Sequence, residues 1–147
     1  MYKKVFSKIS SDIERCGRSV IGVFGGETGF VYTIGNYLAG LPELLIVAPI
    51  HLEQLGSLVN YASDRLLDKG PNEIADGSLI DIGGKYPMKV RQVGVFAKNT
   101  FAVQASLYLK TDAYALVQLL LPDTQGRYPG DPDCEDPFRQ QPLVLQV

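Results

Sequence analysis

The chain is poor in the residues that build metal sites, disulfide frameworks and nucleophilic dyads. Its 147 residues include two cysteines and one histidine. Cys16 and Cys134 stand far apart in no Cys-x-x-Cys or Cys/His cluster, so neither a disulfide framework nor a structural zinc site is expected. Two reduced thiols in a cytoplasmic protein are the simpler reading. A basic excess is also missing. Fourteen Lys and Arg face sixteen Asp and Glu, a net charge of −2, so nothing favours general binding to a phosphate backbone. Long apolar runs are absent too. Leu44–Ile50 and Ala113–Leu121 fall well short of the roughly 20 residues that a bilayer-spanning helix needs. Lys3, Lys4, Lys8 and Asp12 interrupt the apolar residues of the N-terminal stretch, which therefore reads as an amphipathic helix and not as a secretory leader.

What is present fits an ordinary globular protein, with 46% apolar and 20% charged residues. A chain of this length can bury a core without a metal or disulfide staple, and one domain over residues 1–147 is expected. Val5, Ile9, Ile13 and Cys16 share one helix face, with Gly17 as its stop. Ser19–Phe24 and Phe30–Ile34 read as a β-hairpin around Gly25-Gly26-Glu27-Thr28-Gly29. A loop over Gly35–Pro42 leads to a buried strand at Leu44–Val47. A helix over His51–Asp68 follows, with Lys69-Gly70-Pro71 as its stop signal. Leu79–Ile82 and Met88–Phe96 read as strands. Asn99 is a plausible N-cap for a helix carrying Phe101, Ala105 and Tyr108 on one face. Tyr114–Leu121 is a further strand. The five prolines of Pro122–Pro142 specify an ordered surface loop, and Leu143–Val147 is a candidate edge strand. Strands and helices mix without a βαβ rhythm. The expected class is α+β, with a mixed, mostly antiparallel sheet and about three helices.

Three segments together resemble one family. They are Phe30-Val31-Tyr32-Thr33-Ile34-Gly35 with Leu41-Pro42-Glu43-Leu44; the Leu-rich helix after Pro49; and Gln118-Leu119-Leu120-Leu121-Pro122-Asp123 with Gly126-Arg127-Tyr128-Pro129 and Asp133-Cys134. Their order and spacing are similar to the bacterial domain of unknown function 4262, over about Ser19 to Pro142. Leu41 stands where that family often has a His, and Gly130 where it often has a Trp. The resemblance implies a fold and a cytoplasmic setting; it carries no activity with it.

Chemistry-bearing candidates are few. The glycine cluster at 25–29 lacks the Lys and Ser/Thr that a P-loop needs, and Phe30 and Val31 follow it instead. The acids of Asp131–Asp136 break the EF-hand pattern, since Asp136 and Pro142 occupy the positions that need Gly and Glu. No metal or cofactor is expected. His51 opens a helix and has no nucleophile placed beside it by the sequence, so an exposed first-turn position is expected. Polar residues do gather where strands run into loops. Tyr32, Thr33, Asn36 and Glu43 form one such group. Asp123 and Arg127 form another, in which Asp123 is expected to close an Asx-turn toward Gln125 or Gly126.

Together these six residues outline a candidate pocket. The leading expectation is a non-catalytic binding domain for a small polar ligand or a protein partner. One alternative is a hydrolase or transferase using Glu43 or Asp123 as general base. Another is a homodimeric interaction module pairing through the Leu143–Val147 edge.

Overall fold

A computed structural model describes residues 3–24, 28–69 and 74–144. The chain runs α1 (Lys3–Cys16), β1 (Ser19–Val23), β2 (Gly29–Ile34), a 3-10 turn (Asn36–Ala39), β3 (Glu43–Ala48), α2 (Leu52–Lys69), β4 (Leu79–Ile80) and β5 (Met88–Gln92). It continues through α3 (Val95–Thr100), α4 (Val103–Leu109), β6 (Leu116–Leu120) and a second 3-10 turn (Phe138–Gln140). The strands form one sheet in the order β1-β2-β3-β6-β5-β4. Only β3 and β6 pair in parallel; the other neighbours are antiparallel. The α+β class and the mostly antiparallel mixed sheet are as the sequence implies.

Strand periodicity explains the layering. In β3, Leu44, Ile46 and Ala48 face one core, built with Leu55, Val59, Ala62 and Leu66 of α2. Leu45 and Val47 face the other, built with Ile9 of α1, Ala97 of α3 and Ala105 of α4. Both faces are covered, so β3 is apolar from Leu44 to Ala48, and every residue of it, Glu43 included, is buried. Burying a leucine such as Leu55 contributes about 2 kcal/mol. Gly17 ends α1 at φ +87°, with its N–H on the Ile13 carbonyl, as the sequence predicts.

Two expected strands are corrected. Met88–Phe96 does not run as one strand: β5 stops at Gln92, and Val95 and Phe96 begin α3. The extended Gly94 receives the Ala97 N–H at its carbonyl and starts that helix, so Asn99 sits inside α3 and is not an N-cap. Leu143–Val147 is not an edge strand over its described part. The Val144 N–H donates to Gln118 Oε1 and the Pro142 carbonyl accepts from Gln118 Nε2, which lays this segment across a sheet face. The edges are β1 and β4. Residues 145–147, the hairpin tip at 25–27 and the Gly70-Pro71 stop lie outside the described residues. No helix among the described residues is long and apolar enough to cross a membrane.

Candidate functional site

The expected pocket divides into two clusters at opposite ends of the sheet. Glu43 opens β3 opposite Leu116 in the parallel β3–β6 pair, and Asp123 follows the far end of β6. At ~3.3 Å per residue, roughly 20 Å of strand separates their positions.

Thr33, Asn36 and Glu43 do come together. Glu43 is fully buried. Its carboxylate accepts four hydrogen bonds: from the Thr33 hydroxyl at 2.7 Å, Gly35 N–H at 2.9 Å, and Asn36 and Tyr37 N–H at 3.1 Å each. The Thr33 oxygen in turn accepts the Leu44 N–H at 2.9 Å and the Asn36 amide at 3.4 Å, so its own proton points to Glu43. Burial pushes the Glu43 carboxyl above its ordinary value; the Gly35 N–H, the Thr33 hydroxyl and the Tyr37 and Asn36 N–H groups pull it back. Asn36 extends the network to Ser63 of α2 at 3.0 Å. The Arg18 guanidinium then ties Asn36, Asn60 and Asp64 together at 3.1, 3.2 and 2.8 Å.

Tyr32 is not part of this group. Strand alternation turns it to the opposite face, where it stacks on Phe30 and its oxygen accepts the Gln104 N–H at 3.3 Å. Burial there pushes its hydroxyl up to about 12.

The second cluster repeats the logic of the first. Asp123 accepts from the Gln125 and Arg127 N–H groups at 2.8 Å each, the Arg127 side chain at 2.9 Å and the Glu135 N–H at 3.0 Å. The expected Asx-turn toward Gln125 is present. Burial acts to raise the Asp123 carboxyl, but the backbone N–H groups of Arg127, Glu135 and Gln125 and the Arg127 guanidinium outweigh it and hold it well below the ordinary carboxylate range. Arg127 is correspondingly engaged, with Asp123 at 2.9 Å and Glu135 at 4.0 Å.

A general base needs a lone pair that a substrate or water can reach. Glu43 and Asp123 have theirs filled by internal donors, so the geometry makes both of them clamps. His51 is exposed at the start of α2, where Nδ1 accepts the Glu53 N–H at 3.4 Å. Cys16 is exposed, Cys134 is buried in the late loop, and both are free thiols. Among the described residues no three His, Cys, Asp or Glu side chains are grouped to hold a metal ion.

The recess beside the late loop is lined by residues outside the expected six. It is a cleft of about 410 Å³ between β5 and Pro129-Gly130-Asp131. Lys89 and Arg91 lie on its β5 side, with Leu120, Leu143, Asp76 and Asp131 around them. The Lys89 ammonium lies 5.5 Å from the Tyr128 ring centroid, and the Tyr128 hydroxyl donates to the Pro87 carbonyl at 2.7 Å. Arg91 Nε donates to the Val144 carbonyl at 3.3 Å. Asp131 accepts the Tyr128 N–H and Asp76 accepts the Gln92 N–H, both at 2.9 Å. No carboxylate of the described residues forms an ion pair with Lys89 or Arg91. The sequence signal for this pair is the alternation of Met88, Lys89, Val90 and Arg91, which sets both cations on one strand face.

No curated protein matches the chain. Among solved structures, the crystal structure of a SUFU (suppressor of fused protein) homolog from Neisseria gonorrhoeae FA 1090 shares 13% identity, with a TM-score of 0.38 over 84% of this chain and 79% of that one. Likeness at that level carries no functional argument. The family model for DUF4262, a domain of unknown function, matches residues 12–135 and so takes in both carboxylate clusters. The chain belongs to the DUF4262 family.

Proposed function

We propose that this chain is a non-catalytic, cytoplasmic binding domain whose ligand is a small polar molecule with an anionic group, held in the cleft between β5 and the late loop. One observation carries the reading: Lys89 and Arg91 share a strand face, line the cleft and meet no carboxylate partner among the described residues. Arg91 keeps its terminal guanidinium nitrogens for a carboxylate or phosphate, and Lys89 adds a point charge. Asp131 of the lining already accepts the Tyr128 N–H and has further lone pairs for a donor on the ligand. A volume of about 410 Å³ suits a small molecule. Asp123 supports the site from behind by fixing the loop that forms one wall. The saturated state of Glu43 and Asp123 argues against the general-base alternative. The cytoplasmic setting rests on the two separate free thiols.

The test is an NMR titration of the whole chain with small carboxylates, amino acids and phosphate monoesters. One class should bind with Kd below about 1 mM, which is about −4 kcal/mol, and shift residues 88–92 and 129–131. Lys89→Ala and Arg91→Ala should each weaken it about tenfold. Silence across the panel, or binding indifferent to both substitutions, overturns the site. Chemical conversion of the bound compound overturns the non-catalytic assignment.

A further inference from the structure

A second recess lies on the other side of the sheet. It is a shallow groove of about 720 Å³ between the outer side of α2 and the turn after β4. Tyr61 and Leu67 line it, each 60% exposed, together with Ile82. Around them stand three carboxylates, Asp64, Asp68 and Asp81, against the single guanidinium of Arg65. Tyr61, Asp64, Arg65 and Asp68 recur at helix spacing and form one stripe along α2. Asp64 already pairs with Arg18 at 2.8 Å. Asp68 and Asp81 pair with no Lys or Arg of the described residues.

We propose that this groove docks a short segment of a partner protein in which basic side chains flank an apolar one. Tyr61, Leu67 and Ile82 offer the apolar side chain a surface, and a tyrosine left in water is a typical contact residue of protein interfaces. Asp68 and Asp81 face the flanking Lys or Arg. Charge complementarity selects this occupant: an acidic or neutral segment would leave both carboxylates unpaired against it. The groove is too open to enclose a small molecule on most sides, whereas a peptide lying along it buries Tyr61 and Leu67 without needing enclosure. The inference is independent of the Lys89–Arg91 cleft, because it uses a different face and opposite charges.

The experiment measures fluorescence anisotropy and NMR shifts of the whole chain with short synthetic peptides. The peptides share one apolar centre and differ in flanks: Lys/Arg, Glu, or Gln. The basic peptide is expected to bind at least about tenfold more tightly than the other two. Its affinity should weaken severalfold as salt rises from about 0.05 to about 0.5 M, because these charges are solvent-exposed. Shifts should fall on Tyr61, Asp64, Leu67, Asp68 and residues 81–83. The double variant Asp68→Asn/Asp81→Asn should lose about tenfold in affinity with an unchanged Tm, since both side chains are exposed. Equal affinity for the three peptides, shifts elsewhere, or full binding by the double variant overturns the proposal. So does equal binding of a basic peptide whose apolar centre is replaced by serine, because that result describes a diffuse cation surface.

Discussion

Glu43 and Asp123 stand at opposite ends of the parallel β3–β6 pair, and each carboxylate is surrounded by four hydrogen-bond donors. Glu43 fastens the 3-10 turn to the start of β3; Asp123 fastens the late loop beyond the end of β6. Both act on backbone that has left the sheet ladder and needs other partners for its N–H groups.

Glu43→Gln should destabilise the chain by about 3 kcal/mol, because an amide NH2 would face a donor in a buried site. Urea unfolding measures it through the midpoint at constant slope. A loss below about 0.5 kcal/mol would show that Glu43 is not the clamp.

The two carboxylates impose opposite pH slopes. Burial raises Glu43 above 4.5, so its contribution to stability is complete below that pH and is lost as pH rises through the folded-state value. Asp123 is held below 3.8, so its contribution is complete above that pH and is lost as pH falls through the folded-state value. Unfolding free energies from about pH 2 to about pH 8 should show Glu43→Gln without the declining limb and Asp123→Asn without the acid limb. Unaltered limbs in both variants would contradict these assignments.

Gly35 and Gly40 should respond very differently to alanine. Gly35 has φ +128°, and a Cβ there would lie 2.8 Å from the Gly17 carbonyl oxygen and 2.9 Å from Arg18 Cα. Gly40 has φ +77° with nothing within 4 Å of an added Cβ. Gly35→Ala should cost about 3 kcal/mol or more, and Gly40→Ala about 1–2 kcal/mol. Equal losses in chemical unfolding would remove the close approach as the cause.

Arg18 is a buried joint, with its side chain 9% exposed, whereas its ion-pair partner Asp64 is 66% exposed. Arg18→Ala should cost about 2 kcal/mol by stranding Asn36 and Asn60, while Asp64→Asn should cost less than about 1 kcal/mol. Thermal and urea unfolding of the two variants give the comparison; the reverse order would place the energy in the ion pair instead of the amide bridges.

Asp123→Asn should lower Tm by roughly 5 °C for a chain of this size. It should also weaken any ligand of the Lys89–Arg91 cleft, because the loop wall loses its anchor. A variant that binds like the wild type would separate the loop clamp from the cleft.

Much of the fold was legible in the sequence because the signals are local. The helix stripe of Val5, Ile9 and Ile13, the Gly17 stop, the apolar run at Leu44–Val47 and the proline-rich loop each report on a few adjacent residues. Val95 and Phe96 misled because two apolar residues after a β-rich run read as more strand, while the start of α3 depends on Gly94 accepting at its carbonyl. Val144 misled because its N–H donates to Gln118 and its carbonyl accepts from Arg91, both distant in sequence.

The candidate site shows the same division. By itself the sequence determined which residues are polar at strand ends, that Thr33, Asn36 and Glu43 are close enough along the chain to meet, and that Asp123 closes an Asx-turn. Only the tertiary structure decided that Tyr32 faces away from Thr33, that β3 and β6 run parallel and hold the two carboxylates apart, and that Lys89 and Arg91 come to lie under the late loop. The physical reason is that turn and cap bonds join residues a few positions apart, whereas strand order and direction are set by burial summed over the whole sheet.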